Sequence, residues 1–450
     1  MPIREDVLVV GGGMAGATAA LSAARTGASV RLVSYRKPTF RQASGLVDLL
    51  GYVPERTDGD TSGDVEGGTD GSGSDTGGRS SGPVANPYDA LSVLPDDHPY
   101  SVVGDDAVRE AFDLFDEVAG DLYVGSHTDA NALLPTHGGT VKPTARYPVS
   151  AAAGVASDDR SMLLVGFEGL TDFDAPLAAQ HLRAAGVPFD VEGVQVRFPI
   201  RFRADAKVTR YARALDRDEE AARRRLVSRL EDHVESSGAE RVGFPALLGD
   251  EQPATVREDL ADRLGVDVFE VPMGPPSLPG MRLEDRLYAA LDEAGVRMTT
   301  GNPVVDYEGE ETDEDAGSVR INAVLVDHKN NRVPYHAEQF VLATGGLVGK
   351  GITSSRERVM EPVFDCYVPH SEDRYDWSRA DAFGDHPFAR FGVVPDGELR
   401  PTTADGEAQF ENLRAAGGVL GGADFAAEKS GSGVSLATGH VAGRTAGESV

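Results

Sequence analysis

The sequence is short of cysteine, of lysine and of long apolar runs, and each shortage excludes something. A single cysteine, Cys366, in 450 residues rules out an intrachain disulfide and an iron–sulfur cluster ligated by this chain alone. It is also the usage expected of a reducing compartment. No window approaches the ~18 consecutive apolar residues of a spanning helix. Arg4, Glu5 and Asp6 stand where a secretory leader would lead into a long apolar core. The chain is therefore expected in the cytoplasm, with any membrane contact made through a partner. Only six of the 43 basic residues are lysine (Lys37, Lys142, Lys207, Lys329, Lys350 and Lys429), against 73 carboxylates. The net charge of -30 repels nucleic-acid phosphates and anionic membrane surfaces. Dense carboxylate with little lysine fits a salt-rich cytoplasm, where ions screen the mutual repulsion.

Apolar residues make up 40% of the chain, enough for a real core. Val7 to Val10 read as a buried parallel strand, Ala15 to Thr26 as a helix stopped by Gly27, and Ser29 to Val33 as a second strand, together a βαβ unit. From Pro54 to about Pro87 the sequence is Gly, Ser, Asp and Thr, with seven carboxylates between Glu55 and Asp75. Too little apolar surface is available there to offset the entropy of ordering, so a disordered insertion is expected. Strand–helix alternation resumes at Met162 and continues through the helix Ala175 to Ala185. Further apolar stretches start at Val242 and Val268, followed by a helix over Leu283 to Ala294. A late strand, Phe340 to Ala343, and a last helix, Gly433 to Ala446, close the chain. The fold class is α/β, an FAD/NAD(P)-binding Rossmann-like flavoprotein fold with an inserted α/β substrate or interface domain. Expected boundaries are 1–53 for the part bearing the phosphate loop, 54–87 for the insertion, 88–335 for the inserted region and 336–450 for the return to the flavin-binding part.

The strongest local signal is GGGMAG between the first strand and helix, with Gly11, Gly13 and Gly16 in GxGxxG register and Gly12 and Ala15 between them. The first glycine permits the turn, the second lets backbone approach a phosphate, and the third lets helix and strand pack closely. An adenine dinucleotide next calls for Asp or Glu at the end of the second strand; Ser34 stands there. Either serine does the same work, as for FAD, or the ligand lacks the adenosine half, as FMN does. The turn Thr344, Gly345, Gly346 follows the late strand and brings small residues near a cofactor. Gly422 ends a glycine-rich stretch, and Gly431 and Gly433 open the last helix, whose amide end suits the electron-rich side of a reduced flavin. Arg282, after the rigid PPSLPG, is a candidate phosphate ligand, as are Arg203 and Arg356. His137 and His440 are candidate bases, because imidazole titrates near neutrality.

Across about 400 residues the order GGGMAG, SGLVDLL (44–50), HPYS (98–101), VGFEGLTDFDAPLAAQHLRAAGV (165–187), PPSLPGMRL, FGVVPDGELRP and NLRAAGGVLGGADFAAEKSGSGVS resembles the B-subunit family of anaerobic glycerol-3-phosphate dehydrogenase. The acidic insertion after Tyr52 is the departure from that pattern. The resemblance implies a flavoprotein, assigned FMN in this family with FAD as the alternative, and adds Ser44 and Gly45 to the cofactor candidates. It implies oxidation of sn-glycerol 3-phosphate to dihydroxyacetone phosphate, together with A and C subunits of glycerol-3-phosphate dehydrogenase. In that arrangement the A subunit holds FAD, and the C subunit, which bears the clusters, passes electrons to quinone. Two other readings stay open at this point: a non-catalytic electron-transfer and assembly role, or a stand-alone flavin dehydrogenase of another small hydroxy compound.

Overall fold

A computed structural model describes residues 3–35, 39–54, 82–203, 206–311, 318–382 and 384–450. Residues 55–81, the bulk of the expected insertion, lie outside them. The chain enters on β1 (Ile3–Val10), turns through Gly11 to Gly13 into α1 (Met14–Arg25) and returns on β2 (Val30–Ser34). Val7 to Val10 show no apolar–polar alternation because all four are buried, with the sheet covered on both faces. Helix α2 (Asp105–Ala119) then packs back onto this first layer.

A second unit follows, with β3 (Met162–Phe167), α3 (Ala175–Ala184), β4 (Val191–Val196), β5 (Arg241–Pro245) and β6 (Asp267–Val271). Its four strands form their own parallel sheet in the order β6-β5-β3-β4. The chain re-enters the first unit on α4 (Leu278–Glu293) and β7 (Arg297–Thr300). It continues through β8 (Val304–Glu311), β9 (Val319–Asp327) and β10 (Arg332–Leu342), then β11 (Leu413–Ala415) and α5 (Gly431–Glu448). The main sheet runs β7-β2-β1-β10-β9-β8, with β11 also pairing β10. Strands β8, β9 and β10 are an antiparallel meander, and the remaining pairs are parallel.

Two cores result. One spans Val7 to Ala446 and holds the main sheet with α1, α2, α4 and α5; the other is confined to residues between Ala156 and Met273. The second unit is thus narrower than the expected 88–335. Helix α2 and strands β8 to β10 pack apolar residues on the first core and belong to it, and β7, itself largely exposed, joins the same sheet by pairing with β2.

Helix α1 is buried continuously from Ala15 to Ala23 because α5 lies almost backbone to backbone against it. Gly439, Gly443 and Gly447 recur every fourth residue, one stripe along α5. A Cβ at each would run into Ala15, Ala19 and Thr26 respectively. This seam fixes the N-terminus of α1, and with it the phosphate loop.

Candidate functional site

The phosphate loop is shaped by contacts that tolerate no side chain. Gly11 has φ +122°, a region favouring glycine, and a Cβ there would strike the Ala343 carbonyl; one on Gly16 would strike the Gly11 carbonyl. Gly12 is closed in by the hydroxyls of Ser34 and Tyr288, and its own carbonyl accepts from Tyr288 Oη at 3.0 Å. Gly13 differs, because a Cβ there would meet nothing within 4 Å. It N-caps α1 without a side-chain cap, and no acidic residue stands in the first turn. The amide end of α1 therefore opens onto free space, where an anion completes its bonding.

A cavity of about 260 Å³ continues from this loop, bounded by Gly13, Ser34, Tyr35, Val304 and Thr344. Thr344 Oγ1 is buried with no hydrogen-bond partner, so the cavity wall carries an unsatisfied polar atom. The open amide end, the space over Gly13 and the orphaned Thr344 hydroxyl fit the phosphates of a flavin nucleotide. Gly345 continues the wall beyond Thr344, and Gly346 packs against the Gly418 carbonyl.

A second cavity, of about 570 Å³, lies where the two units meet. Ser44, Asp48 and Lys142 line it from the segments after β2, Lys429 from the turn before α5, and His137 and Met273 from the side of the second unit. Asp48 is almost fully buried and pairs with Lys142 (Oδ2···Nζ 2.7 Å), while its Oδ1 has no partner. Burial pushes the Asp48 carboxyl up from its ordinary pKa, opposed by the Lys142 ammonium and, more weakly, by Lys429. Neighbouring Gly45 leaves no room for a Cβ against Pro279. Its carbonyl accepts from Tyr123 Oη at 2.8 Å, which fixes the strap on which Ser44 and Asp48 sit.

The same strap is pinned from behind by a buried network. His98 Nδ1 accepts from the Tyr100 amide at 3.1 Å, so its Nε2 carries the proton and donates to Glu428 at 3.1 Å. Glu428 also accepts from Ser430 Oγ at 2.8 Å, and Tyr100 Oη donates to the Leu49 carbonyl at 2.7 Å. Gly433 is small because Tyr100 and the Asp48–Leu49 backbone press on it, and Gly422 because the Asp97 carbonyl does. Gly431, also expected near the cofactor, is the first residue of α5, two residues earlier than the sequence pattern places the helix start.

The expected phosphate arginines are not brought together. Arg282 is in the first turns of α4 and is engaged by Glu270 (2.6 and 3.1 Å) and the Gly249 carbonyl. Burial alone would raise the Glu270 pKa, yet the Arg282 charge and hydrogen bonds hold it below the usual carboxylate range. Arg203 and Arg356 are exposed at separate places, the latter beside Trp377. His137 reaches the 570 Å³ cavity. His440 instead lies in the helical layer, with Ser22 Oγ 2.9 Å from Nδ1 and Glu110 3.4 Å from Nε2, and burial lowers its pKa. Asp48, Lys142 and Lys429 were not singled out by sequence reasoning; the signal available for the two lysines was their rarity. Among the described residues no cluster of His, Cys, Asp and Glu could hold a metal, and no helix is long and apolar enough to cross a membrane.

Residues 6–434 match the FAD binding domain family. The probable B subunit of anaerobic glycerol-3-phosphate dehydrogenase from Halobacterium salinarum is 57% identical over 458 residues, covering 100% of this chain and 99% of that protein. The B subunit of anaerobic glycerol-3-phosphate dehydrogenase from Pectobacterium atrosepticum is 30% identical over 454 residues, covering 98% of each. Among solved structures, the open conformation of a flavocytochrome c3 fumarate reductase aligns with 99% of this chain and 78% of its own at 10% identity and a TM-score of 0.42. With its glycine-built phosphate loop and full-length likeness to those two relatives, the chain belongs to the B-subunit family of anaerobic glycerol-3-phosphate dehydrogenase, on an FAD binding domain.

Proposed function

We propose that this chain is the flavin-bearing polypeptide that oxidises sn-glycerol 3-phosphate to dihydroxyacetone phosphate, working with A and C subunits, through which electrons pass to quinone. The observation that carries the reading is the 570 Å³ cavity between the two units, lined by two lysines and reached from the same strap that follows the phosphate loop. A flavin bound here supplies the acceptor for the hydride leaving C2 of the alcohol. The chain's own residues do the rest: the amide end of α1 and Thr344 hold the cofactor phosphates. His137 stands at the cavity as the candidate that takes the hydroxyl proton. With no spanning helix among the described residues, association with the cytoplasmic face of a membrane runs through a partner.

For the cofactor we favour FAD. The cavity beyond the phosphate loop, walled by Ser34, Tyr35, Pro303 and Val304, is room on the side where an adenosine half lies in a dinucleotide fold. FMN is the second reading, favoured by the absence of a carboxylate at Ser34. One experiment tests both points: purify the chain, release and weigh its flavin, then add sn-glycerol 3-phosphate without oxygen. Bleaching of the flavin supports oxidation in this chain. An unbleached flavin, in a chain that restores turnover when the A and C subunits are added, assigns substrate oxidation to the A subunit; this chain is then an electron carrier.

A further inference from the structure

Of the five lysines among the described residues, Lys350 borders the phosphate-loop cavity, Lys207 borders a small cavity beside Thr171 and Asp172, and Lys142 and Lys429 share the 570 Å³ cavity. The remaining one, Lys329, sits in the turn between β9 and β10. Arginine supplies most of the ion pairs among the described residues, as Arg146 does with Asp116 and Arg210 with Glu219, each at 2.8 Å. The two cations differ in what they do well. Guanidinium matches a carboxylate with a planar fork, whereas an ammonium is a compact charge with three rotatable donors, able to follow a small ligand.

Among the described residues the formal charges lining the larger cavity are those of Lys142, Lys429 and Asp48, and Lys429 Nζ also donates to the Ala426 carbonyl. Lys142 commits one donor to Asp48 at 2.7 Å, and two of its donors remain. Lys429 is held at the same wall, packed with Pro143 around Gly51, where a Cβ would find no room. Thr140 adds a hydroxyl to the lining.

We propose that Lys142 and Lys429 form the binding site for the phosphate group of a small phosphate monoester, with Asp48 holding Lys142 in place and competing with the incoming anion for its charge. The assignment rests on the reading of the cavity as the substrate site. The phosphate dianion takes donors from both ammonium groups, and the rest of the ester extends along the cavity towards Ser44. Asp48 keeps the empty site from being a bare cationic hole; a monovalent anion gains too little to displace it.

The test uses the flavin-loaded protein and three variants, Lys142→Met, Lys429→Met and Asp48→Asn, with flavin content measured first. Calorimetric titrations with sn-glycerol 3-phosphate, with inorganic phosphate and with glycerol separate the phosphate contribution from the rest. Each lysine variant is expected to weaken both phosphate ligands by at least about tenfold, the loss of one charge-assisted contact, and to leave glycerol unchanged. Asp48→Asn, nearly isosteric, is expected to tighten inorganic phosphate several-fold, which a merely damaged pocket does not do. Wild-type affinity for the phosphate ligands in both flavin-loaded lysine variants overturns this site. If wild type then still bleaches with sn-glycerol 3-phosphate, the functional reading survives and the phosphate binds elsewhere. Wild-type protein that neither binds nor is bleached by the ester overturns both.

Discussion

Arg282 separates a structural from a substrate-binding role, because the two predict opposite measurements. The side chain is about 10% exposed and its partner Glu270 about 1%, joined by contacts of 2.6 and 3.1 Å. Glu270 also accepts from the Leu248 amide at 2.7 Å. The pair ties α4 of the first unit to β6 and the 248–249 turn of the second. Arg282→Met leaves a buried carboxylate without its counter-charge, and breaking a buried pair in this way costs about 3–5 kcal/mol. Urea titration at fixed salt, followed by far-ultraviolet circular dichroism, should show the midpoint fall accordingly. Adding Glu270→Gln should recover part of the loss, since no charge then stays buried alone. The pH dependence follows from the lowered folded pKa of Glu270. Its contribution is fully present above the unfolded value of about 4.3 and is lost as pH falls through the folded one, so the gap between wild type and Arg282→Met narrows in acid. An unchanged midpoint together with a raised KM for sn-glycerol 3-phosphate would refute this and return Arg282 to the phosphate ligands.

Three further outcomes are expected. Gly13→Asp places a carboxylate in the free space at the amide end of α1 and should abolish flavin binding; a folded variant carrying stoichiometric flavin would remove the phosphate-loop assignment. Ser34→Ala should weaken FAD by about 0.5–1.5 kcal/mol if serine holds the ribose and leave FMN affinity unmoved; the flavin released from wild type decides which applies. Deleting residues 59–78 should leave flavin content and turnover of the assembled enzyme nearly unchanged. The Gly51 carbonyl already accepts from the Val84 amide at 2.8 Å, so the segment leaves and returns at one point. A fall beyond about tenfold, ~1.4 kcal/mol in barrier, would make the insertion functional.

The fold was legible where a pattern has one physical cause. Val7 to Val10 and GGGMAG leave little choice but a buried strand, an anion-binding turn and a tightly packed helix. The start of α4 was not read, because Pro275 to Gly280 has the composition of a rigid turn. In the structure Ser277 caps the helix by accepting from the Gly280 amide at 3.1 Å, and Pro279 falls in the first turn, where its missing N–H costs nothing. Of the meander only the end of β10, from Phe340, was read; β8 was missed for a related reason, since VVDYEGEE is half exposed and acidic, without the apolar run that marked β1. The glycine stripe of α5 was visible as Gly439, Gly443 and Gly447. Its meaning depended on the small residues of α1, more than 400 positions away.

The site was harder to read because charge in this chain misleads. A search for phosphate ligands turns first to arginine, whose fork suits phosphate. With 73 carboxylates in the chain, an arginine is far more often claimed by an acid, as Arg282 is by Glu270 and Arg146 by Asp116. Lysine is claimed less often, although Lys142 is held by Asp48. Four of the five lysines among the described residues border cavities, where a compact ammonium rather than a planar fork meets a ligand. The informative residues for an anion site in so acidic a protein are therefore its rarest cation: counting narrows the search to six lysines, and the fold brings Lys142 and Lys429 to one cavity.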